Sequence, residues 1–377
     1  MPGFSVNYHE LTQTESIRHQ WLELQARASC SYFQSWGWIG SWLNHVVADE
    51  KVGILQVWSD QLLVGLGLFV ESNSKRRLVI RSKALYLNEY LLDGKNMVIE
   101  YNGMLAAQDF EQVVYDETVK YLVDELKSYD EFIFGGISGD GVSPCIMNAI
   151  DSPVALDVLE ESIAWQVEIS SVHATIDQYL SSLSKNRRGQ IKRSIRLYKE
   201  QGPLILHVAE SFEEAMDYFK GLETLHSKRW QRQGNPGAFS NPIWKKFHTD
   251  LILRRFDEGE VQLIKVSNAD RAIGYLYNFI WRKKIYVLQT GFEIHPDSRL
   301  MPGYVTHVLS IVHNYQLGMT EYDFLHGDAL YKKTLSNRKR VLHWVVLQRP
   351  KLKFKFENLV LRCIRACRSF SLAGRQS

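Results

Sequence analysis

The feature that most restricts the fold of this chain is a strand pattern used once in each half. Val52-Gly-Ile-Leu-Gln-Val-Trp58 alternates as a strand, Ser59-Asp60 supplies turn chemistry, and residues 61–71 read as a second strand carrying Gly65. Val261-Gln-Leu-Ile-Lys-Val266, Ser267-Asn-Ala-Asp270 and residues 271–280, with Gly274, repeat that order. Each glycine stands 13 positions after its opening valine. The copies continue alike. Phe110, Val113, Val114, Tyr121 and Leu122 predict a helix over residues 109–127, before a strand at Glu131-Phe-Ile-Phe134 that runs into Gly135-Gly136. Val305, Val308, Leu309, Val312 and Tyr315 predict a helix over residues 303–317, stopped by Gly318 and followed by a strand at Glu321-Tyr-Asp-Phe-Leu325. Hairpin, strand, helix and strand used twice imply an α/β fold, with helices packed on a mixed sheet in each half.

A chain of 377 residues can bury two such cores, and 45% hydrophobic with 23% charged residues is a globular balance. No apolar run approaches the roughly 20 residues that span a bilayer. The start, MPGFSVNYHELTQTE, lacks the basic and apolar stretches of a secretion signal, so a cytoplasmic protein is expected. Cys30, Cys145, Cys363 and Cys367 form no disulfide framework and no set of metal-ligand spacing, so thiols are expected and no metal. Ser152-Pro153 breaks structure near a boundary at residues 152–169, giving lobes 1–165 and 166–348 and a basic tail 349–377. The helix around Phe33 to Leu43, read with the first half, places Trp38, Trp42 and Leu43 like a core-facing stripe, with a sugar-stacking platform as the functional alternative.

The net charge of +3 says little, but its distribution says more. Residues 185–199 hold seven Lys/Arg and no acid. There Ile191, Ile195 and Tyr198 form an apolar stripe opposite Arg188, Lys192 and Arg196, a docked helix with a solvated basic face or one that meets an anionic acceptor or tRNA. Residues 338–368 hold ten Lys/Arg against Glu357. The tail alternates basic and apolar residues before a basic helix at 359–370, which either packs back or makes a peripheral contact with anionic lipid.

Several short motifs recur in a telling order. They are Leu183-Ser-Lys-Asn-Arg187-Arg188 with Arg193, Leu225-His226-Ser-Lys-Arg229-Trp230, Gly274-Tyr275 and Gln289-Thr290-Gly291-Phe292. Pro302-Gly303, Asp323-Phe-Leu-His-Gly327-Asp328 and Tyr331-Lys332 follow. Together they resemble the GNAT-type acetyltransferase domain of the CelD/BioF-like group, in the FemAB-like superfamily of tandem GNAT folds. The resemblance runs from about residue 172 to 336, and the strand repeat extends it loosely over the first half.

The resemblance implies two tandem GNAT-like domains and an N-acyltransferase that moves an acyl group from acetyl-CoA or another acyl-CoA to an amine. An amino sugar or an envelope or exopolysaccharide precursor is the implied acceptor. In such folds the thioester lies where two strands open, and a following helix aims its N-terminus at the donor's pyrophosphate, because free N–H groups and the helix dipole favour anions. Here Arg299-Leu-Met-Pro302-Gly303-Tyr304 occupies that place, a departure from the family's Arg/Gln-x-x-Gly-x-Gly/Ala, with Thr290 bordering it. Acyl transfer needs a group to take the amine's proton, one to polarise the carbonyl and one to protonate the leaving group. Tyr331 is the implied general acid, Asp328 the group that orients or deprotonates the amine, and Gln289 a hydrogen-bonding group at the thioester. A packed Tyr331 and an Asp328 that caps the next helix are the structural alternatives. Arg188, Arg229, Trp230 and Lys332 are the acceptor-binding candidates, and arginine there suits a carboxylate or phosphate. A FemAB-like aminoacyl-tRNA-dependent transferase and a non-catalytic GNAT-like binding protein are the alternatives.

Overall fold

In a computed structural model of the chain, the described residues are 3–47, 50–75, 81–92, 95–96, 99–139, 144–146, 154–170, 174–354, 356–357 and 360. Cys363, Cys367 and nearly all of the basic tail helix lie outside them, as do Ser152 and Pro153 at the expected boundary. The elements open with β1 (Phe4–Glu10), α1 (Thr14–Arg27), α2 (Trp36–His45), β2 (Val52–Ser59), β3 (Leu62–Lys75) and β4 (Arg81–Leu87). The short strands β5 (Leu91–Leu92), β6 (Lys95–Asn96) and β7 (Leu105–Ala106) precede α3 (Glu111–Asp124) and β8 (Glu131–Ser138). Next come β9 (Ala155–Glu168), α4 (Ile176–Ser182), α5 (Lys185–Gln201), β10 (Leu204–Val208), α6 (Phe212–Arg232) and α7 (Pro242–Arg255). The chain continues through β11 (Val261–Asn268), β12 (Arg271–Trp281), β13 (Lys284–Phe292) and α8 (Pro302–Gln316). It closes with β14 (Glu321–His326), α9 (Leu330–Leu335) and β15 (Arg338–Gln348).

Two compact units result, one of Met1–Ser29, Asp49–Glu161 and His343–Ser377, the other of Cys30–Ala48 and Ser162–Leu342. The first holds strands in the order β1-β2-β3-β4-β8, the second β14-β13-β12-β11-β10, with β9 antiparallel to β14. Each is a mixed sheet with packed helices, the same arrangement used twice.

The repeated glycines show why the two hairpins match. In each, the ladder slips by one residue beside the glycine: Val57↔Gly65 is followed by Trp58↔Leu63, and Val266↔Gly274 by Ser267↔Ala272. Such a bulge bends the strand. A Cβ on Gly65 would stand 2.6 Å from Val114 of α3, and one on Gly274 2.3 Å from the Thr306 hydroxyl of α8. Both glycines therefore let a helix lie close on its sheet.

The aromatic helix α2 belongs to the second unit, not to the first half with which its position in sequence groups it. Its neighbours explain the assignment. Trp38 meets Phe247 and Phe33 edge-on at 4.9 Å, and Tyr32 stacks on Phe279 at 4.2 Å. Trp38, Trp42 and Leu43 are buried, so the stripe is core and no sugar platform. Burying each such side chain contributes about 1.5–3 kcal/mol, which outweighs the closeness in sequence.

On the opposite face of the second sheet, α5 lays Ile191, Ile195 and Tyr198 into a core with Val305, Val308 and Ile311 of α8. Its basic residues are half-buried or exposed. No helix among the described residues is long and apolar enough to cross a membrane.

Candidate active site

β13 and β14 run side by side only through Lys284↔Glu321, Ile285↔Tyr322 and Tyr286↔Asp323. β13 then stays paired with β12 as far as Phe292, while β14 follows β9, its register shifting between Asp323 and His326. Asp323 shapes that shift. Its buried carboxylate accepts the Leu325 N–H and a Gln166 amide hydrogen, each at 2.7 Å. Leu325 is thereby held at φ 60°, a backbone region that leucine seldom occupies. The strands enclose a wedge between residues 289–292 and 324–326.

α9 delivers Tyr331 to this wedge. Its ring stacks on His307 of α8 (5.0 Å, 14°) and meets Phe324 and Phe292 edge-on at 6.0 and 6.4 Å. Burial pushes the Tyr331 phenol above its ordinary range, while a hydrogen bond with Thr290 and the charge of Arg229 pull against that rise. The phenol is therefore protonated at neutral pH, as a proton donor must be. Gln289 stands beside a bulge at Tyr277/Asn278, and its side-chain oxygen accepts the Thr290 N–H at 3.3 Å. Thr290 and Tyr331, drawn from two elements, thus meet within reach of the Arg229 charge.

His307 carries no role in the sequence reading, and it completes this cluster. The ring is fully buried, with Nδ1 2.9 Å from the Tyr322 hydroxyl and Nε2 without a hydrogen-bond partner. Burial first, and the charge of Lys332 second, lower its pKa to about 3, so it is neutral at pH 7. A polar residue inside the apolar stripe of Val305, Val308 and Val312 was the signal available for it. His226 is similar: it is buried on α6 against Gly291, has no partner at Nδ1, and burial lowers its pKa to about 4. Asp323 was visible within its motif, but its task became clear only with the Leu325 turn.

Other candidates stand apart. The Lys332 ammonium donates to the main-chain oxygens of His326 at 2.5 Å and Leu325 at 3.4 Å, tying α9 to the wedge's edge. Asp328 is exposed in the preceding turn, and α9 takes Ala329 as its N-cap with no side-chain cap, so Asp328 does not cap it. Arg188 donates to the Ser181 carbonyl at 3.3 Å. Arg229 and Trp230 are exposed on the last turns of α6, Trp230 tilted against His226 at 5.8 Å.

α8 opens as its sequence requires, with Pro302 in its first turn and Met301 as an N-cap that supplies no side-chain bond. The Met301 N–H donates to Ser194 of α5 at 2.9 Å, and a Cβ on Gly303 would meet the Phe292 ring at 3.2 Å. The Arg187 guanidinium lies 4.6 Å above the Tyr304 ring at this helix end. Arg299 is engaged elsewhere: Asp297 binds it bidentately at 2.7–3.0 Å, which holds the Asp297 carboxyl down to about 2. Gly303, Tyr304 and Arg187 therefore offer two N–H groups and one cation to an anion, fewer than a glycine-rich phosphate loop.

This geometry agrees with what the chain is similar to. Residues 185–333 match the model of the acetyltransferase (GNAT) domain family. Among solved structures the fold is similar to FemX, at TM-score 0.56 and 10% identity over 89% of this chain and 96% of that one. It is similar to a conserved protein of unknown function from Bacteroides thetaiotaomicron, at 0.54 and 8% over 91% and 100%. It is also similar to L-PGS from Bacillus licheniformis, at 0.52 and 10% over 91% and 96%. These identities speak to the fold alone. No curated protein matches the chain in sequence. Residues 185–333 thus carry a GNAT acetyltransferase domain, which makes this chain an acyltransferase, and its fold is one that FemX and L-PGS share.

Proposed function

We propose that the protein is a cytoplasmic N-acyltransferase that takes an acyl group from acyl-CoA and places it on the amine of an amino sugar or envelope precursor. The observation that carries this reading is the wedge between β13 and β14 with Tyr331 held at its mouth by Thr290 and His307. A bound thioester supplies the electrophilic carbonyl. Thr290 and Gln289 flank it on one side and can hydrogen-bond its oxygen as negative charge develops. Tyr331 donates its phenolic proton to the departing sulfur, and its raised pKa keeps that proton available. Asp328, exposed at the turn before α9, orients the incoming amine and accepts its proton. Arg187, with the N–H groups of Gly303 and Tyr304, takes the donor's phosphates, and Arg229 and Trp230 meet the acceptor.

Calorimetric titration with acetyl-CoA and longer acyl-CoAs tests the donor. Micromolar binding supports it, and no binding at millimolar concentration would sink it.

A second reading, transfer from an aminoacyl-tRNA, is favoured by one observation: Ser194 takes the Met301 N–H and Asp297 takes Arg299, which leaves a lean pyrophosphate site. If acyl-CoAs fail to bind and a charged tRNA binds with strong salt dependence, this second reading replaces the first.

A further inference from the structure

A cleft of about 680 Å³ opens beside the wedge, lined by the last turns of α6, the start of β12 and the end of β13. Leu225, Ala272 and Ile294 contribute apolar surface, and Ile294 is 43% exposed. Lys228, Arg232 and Arg271 contribute three cations against the carboxylate of Glu293. That carboxylate is already engaged, with Arg271 at 3.2 Å and the Tyr198 hydroxyl at 2.9 Å. Among the described residues, Lys228 and Arg232 pair with no acid.

Cations in the last turn of a helix suit its dipole. The dipole does not explain why Arg271, from a different element, joins them across a cavity. Lys228 and Arg232 are also four apart on one helix, a spacing at which like charges cost a few tenths of a kcal/mol. A bound anion relieves that repulsion and meets three donors, one of them already oriented by Glu293.

We propose that this cleft binds the acyl acceptor through an anionic group, a phosphate or carboxylate, that stands beside an apolar stretch of the same molecule. The assignment rests on the acyl-transfer reading above and narrows its acceptor to an amphipathic anion. The cleft adjoins the donor's end at Phe292 and extends away from it along α6. Gly291 of β13 faces α6, where a Cβ would stand 2.7 Å from the Leu222 carbonyl, and Leu225 belongs to that side. Phe292 stands between the two, lining the cleft and packing against Gly303 and His307 of α8, whose N-terminus offers N–H groups to the donor. An acceptor anchored at Lys228 and Arg232 thus approaches along α6, past Arg229, toward Thr290 and Tyr331.

The test uses the full chain and three probes: octyl phosphate, inorganic phosphate and octyl glucoside, titrated calorimetrically against wild type and a Lys228→Gln/Arg232→Gln double variant. Octyl phosphate should bind at least tenfold tighter than either of the others, and the double variant should lose at least tenfold in octyl phosphate affinity. Acetyl-CoA affinity should be unchanged in that variant. Equal affinity of wild type and variant for octyl phosphate overturns the site. A parallel loss of acetyl-CoA affinity overturns the acceptor assignment and gives the cleft to the donor's phosphates. Failure of wild type to bind acetyl-CoA at all strikes the acyl-CoA reading and is read separately from the octyl phosphate result. Both substituted residues lie at the surface of a cleft, and an unchanged melting temperature confirms that the variant is folded.

Discussion

The two units contain the same wedge and fill it differently. In the first, β4 and β8 pair in parallel only through Ala84↔Glu131, Leu85↔Phe132 and Tyr86↔Ile133, just as β13 and β14 pair through three residues in the second. Beyond that point the first wedge is closed by main chain. Asn102 donates its side-chain amide to the Leu87 carbonyl at 2.8 Å and its own N–H to the Gly136 carbonyl at 3.1 Å, which bridges both strands. Asn88 locks the plug by donating to the Asn102 side chain at 3.0 Å and to the Gly103 carbonyl at 2.9 Å. Gly136, at φ 64°, admits the plug because a Cβ there would stand 2.1 Å from the Ile99 carbonyl. In the second wedge, side chains occupy the mouth instead, and one is a phenol hydrogen-bonded to Thr290. Splayed strands therefore belong to the fold, whereas chemistry depends on what is admitted between them.

Glu89 marks the contrast. It stands three residues after Tyr86, as Gln289 stands three after Tyr286. A carboxyl buried in the plugged wedge, with neither oxygen hydrogen-bonded among the described residues, would be costly if ionised, and burial pushes its pKa up to about 8.

The largest expected effect separates the wedges by activity. Tyr331→Phe should lower turnover about 10²–10⁴-fold with little change in donor affinity, because it removes one proton while keeping the ring stack. An unchanged rate in a steady-state assay would remove Tyr331 from the mechanism. Next is a pH effect confined to the plugged wedge. Glu89 stays protonated in the fold up to about 8 but ionises near 4.5 in the unfolded chain, so its share of stability falls as pH rises through that window. Glu89→Gln should remove up to a few kcal/mol of that decline, seen as a flatter plot of melting midpoint against pH from 5 to 8. If the slope persists, the carboxyl is ionised in the fold.

A third pair of variants tests whether the wedges are built alike. Gly65→Ala and Gly274→Ala should each cost about 1–3 kcal/mol in denaturant unfolding, since the new methyl group meets Val114 or Thr306. Only Gly274→Ala should also lower activity, by displacing α8 and with it His307 beneath Tyr331. Equal activity losses would mean that the first wedge takes part in catalysis. The smallest effect concerns the donor's end. Arg299→Ala should change acetyl-CoA affinity by less than about threefold, because Asp297 already holds that guanidinium, whereas Arg187→Ala should weaken binding by about 5–10-fold. Calorimetry ranks the two, and the reverse order would return the phosphate role to Arg299.

By themselves the residues determined the doubled fold. Alternation around Ser59-Asp60 and 267–270, with a glycine at the same offset, is local information, because a hairpin's register and turn are set within a few residues. The helix over 302–316 was legible for the same reason, through its 3.6-residue apolar period and its Pro-Gly start. Tyr331 and Thr290 were nameable from their motif, yet their hydrogen bond joins positions 41 residues apart, and no periodicity reports that. Only the tertiary structure moved α2 into the second unit, gave Arg299 to Asp297, made His307 the floor under Tyr331, and set Arg271 across a cleft from Lys228 and Arg232. The physical reason is common to all of them. Burial, ion pairing and ring stacking act through space, so they are decided by which elements the sheet brings together rather than by the order in which the chain presents them.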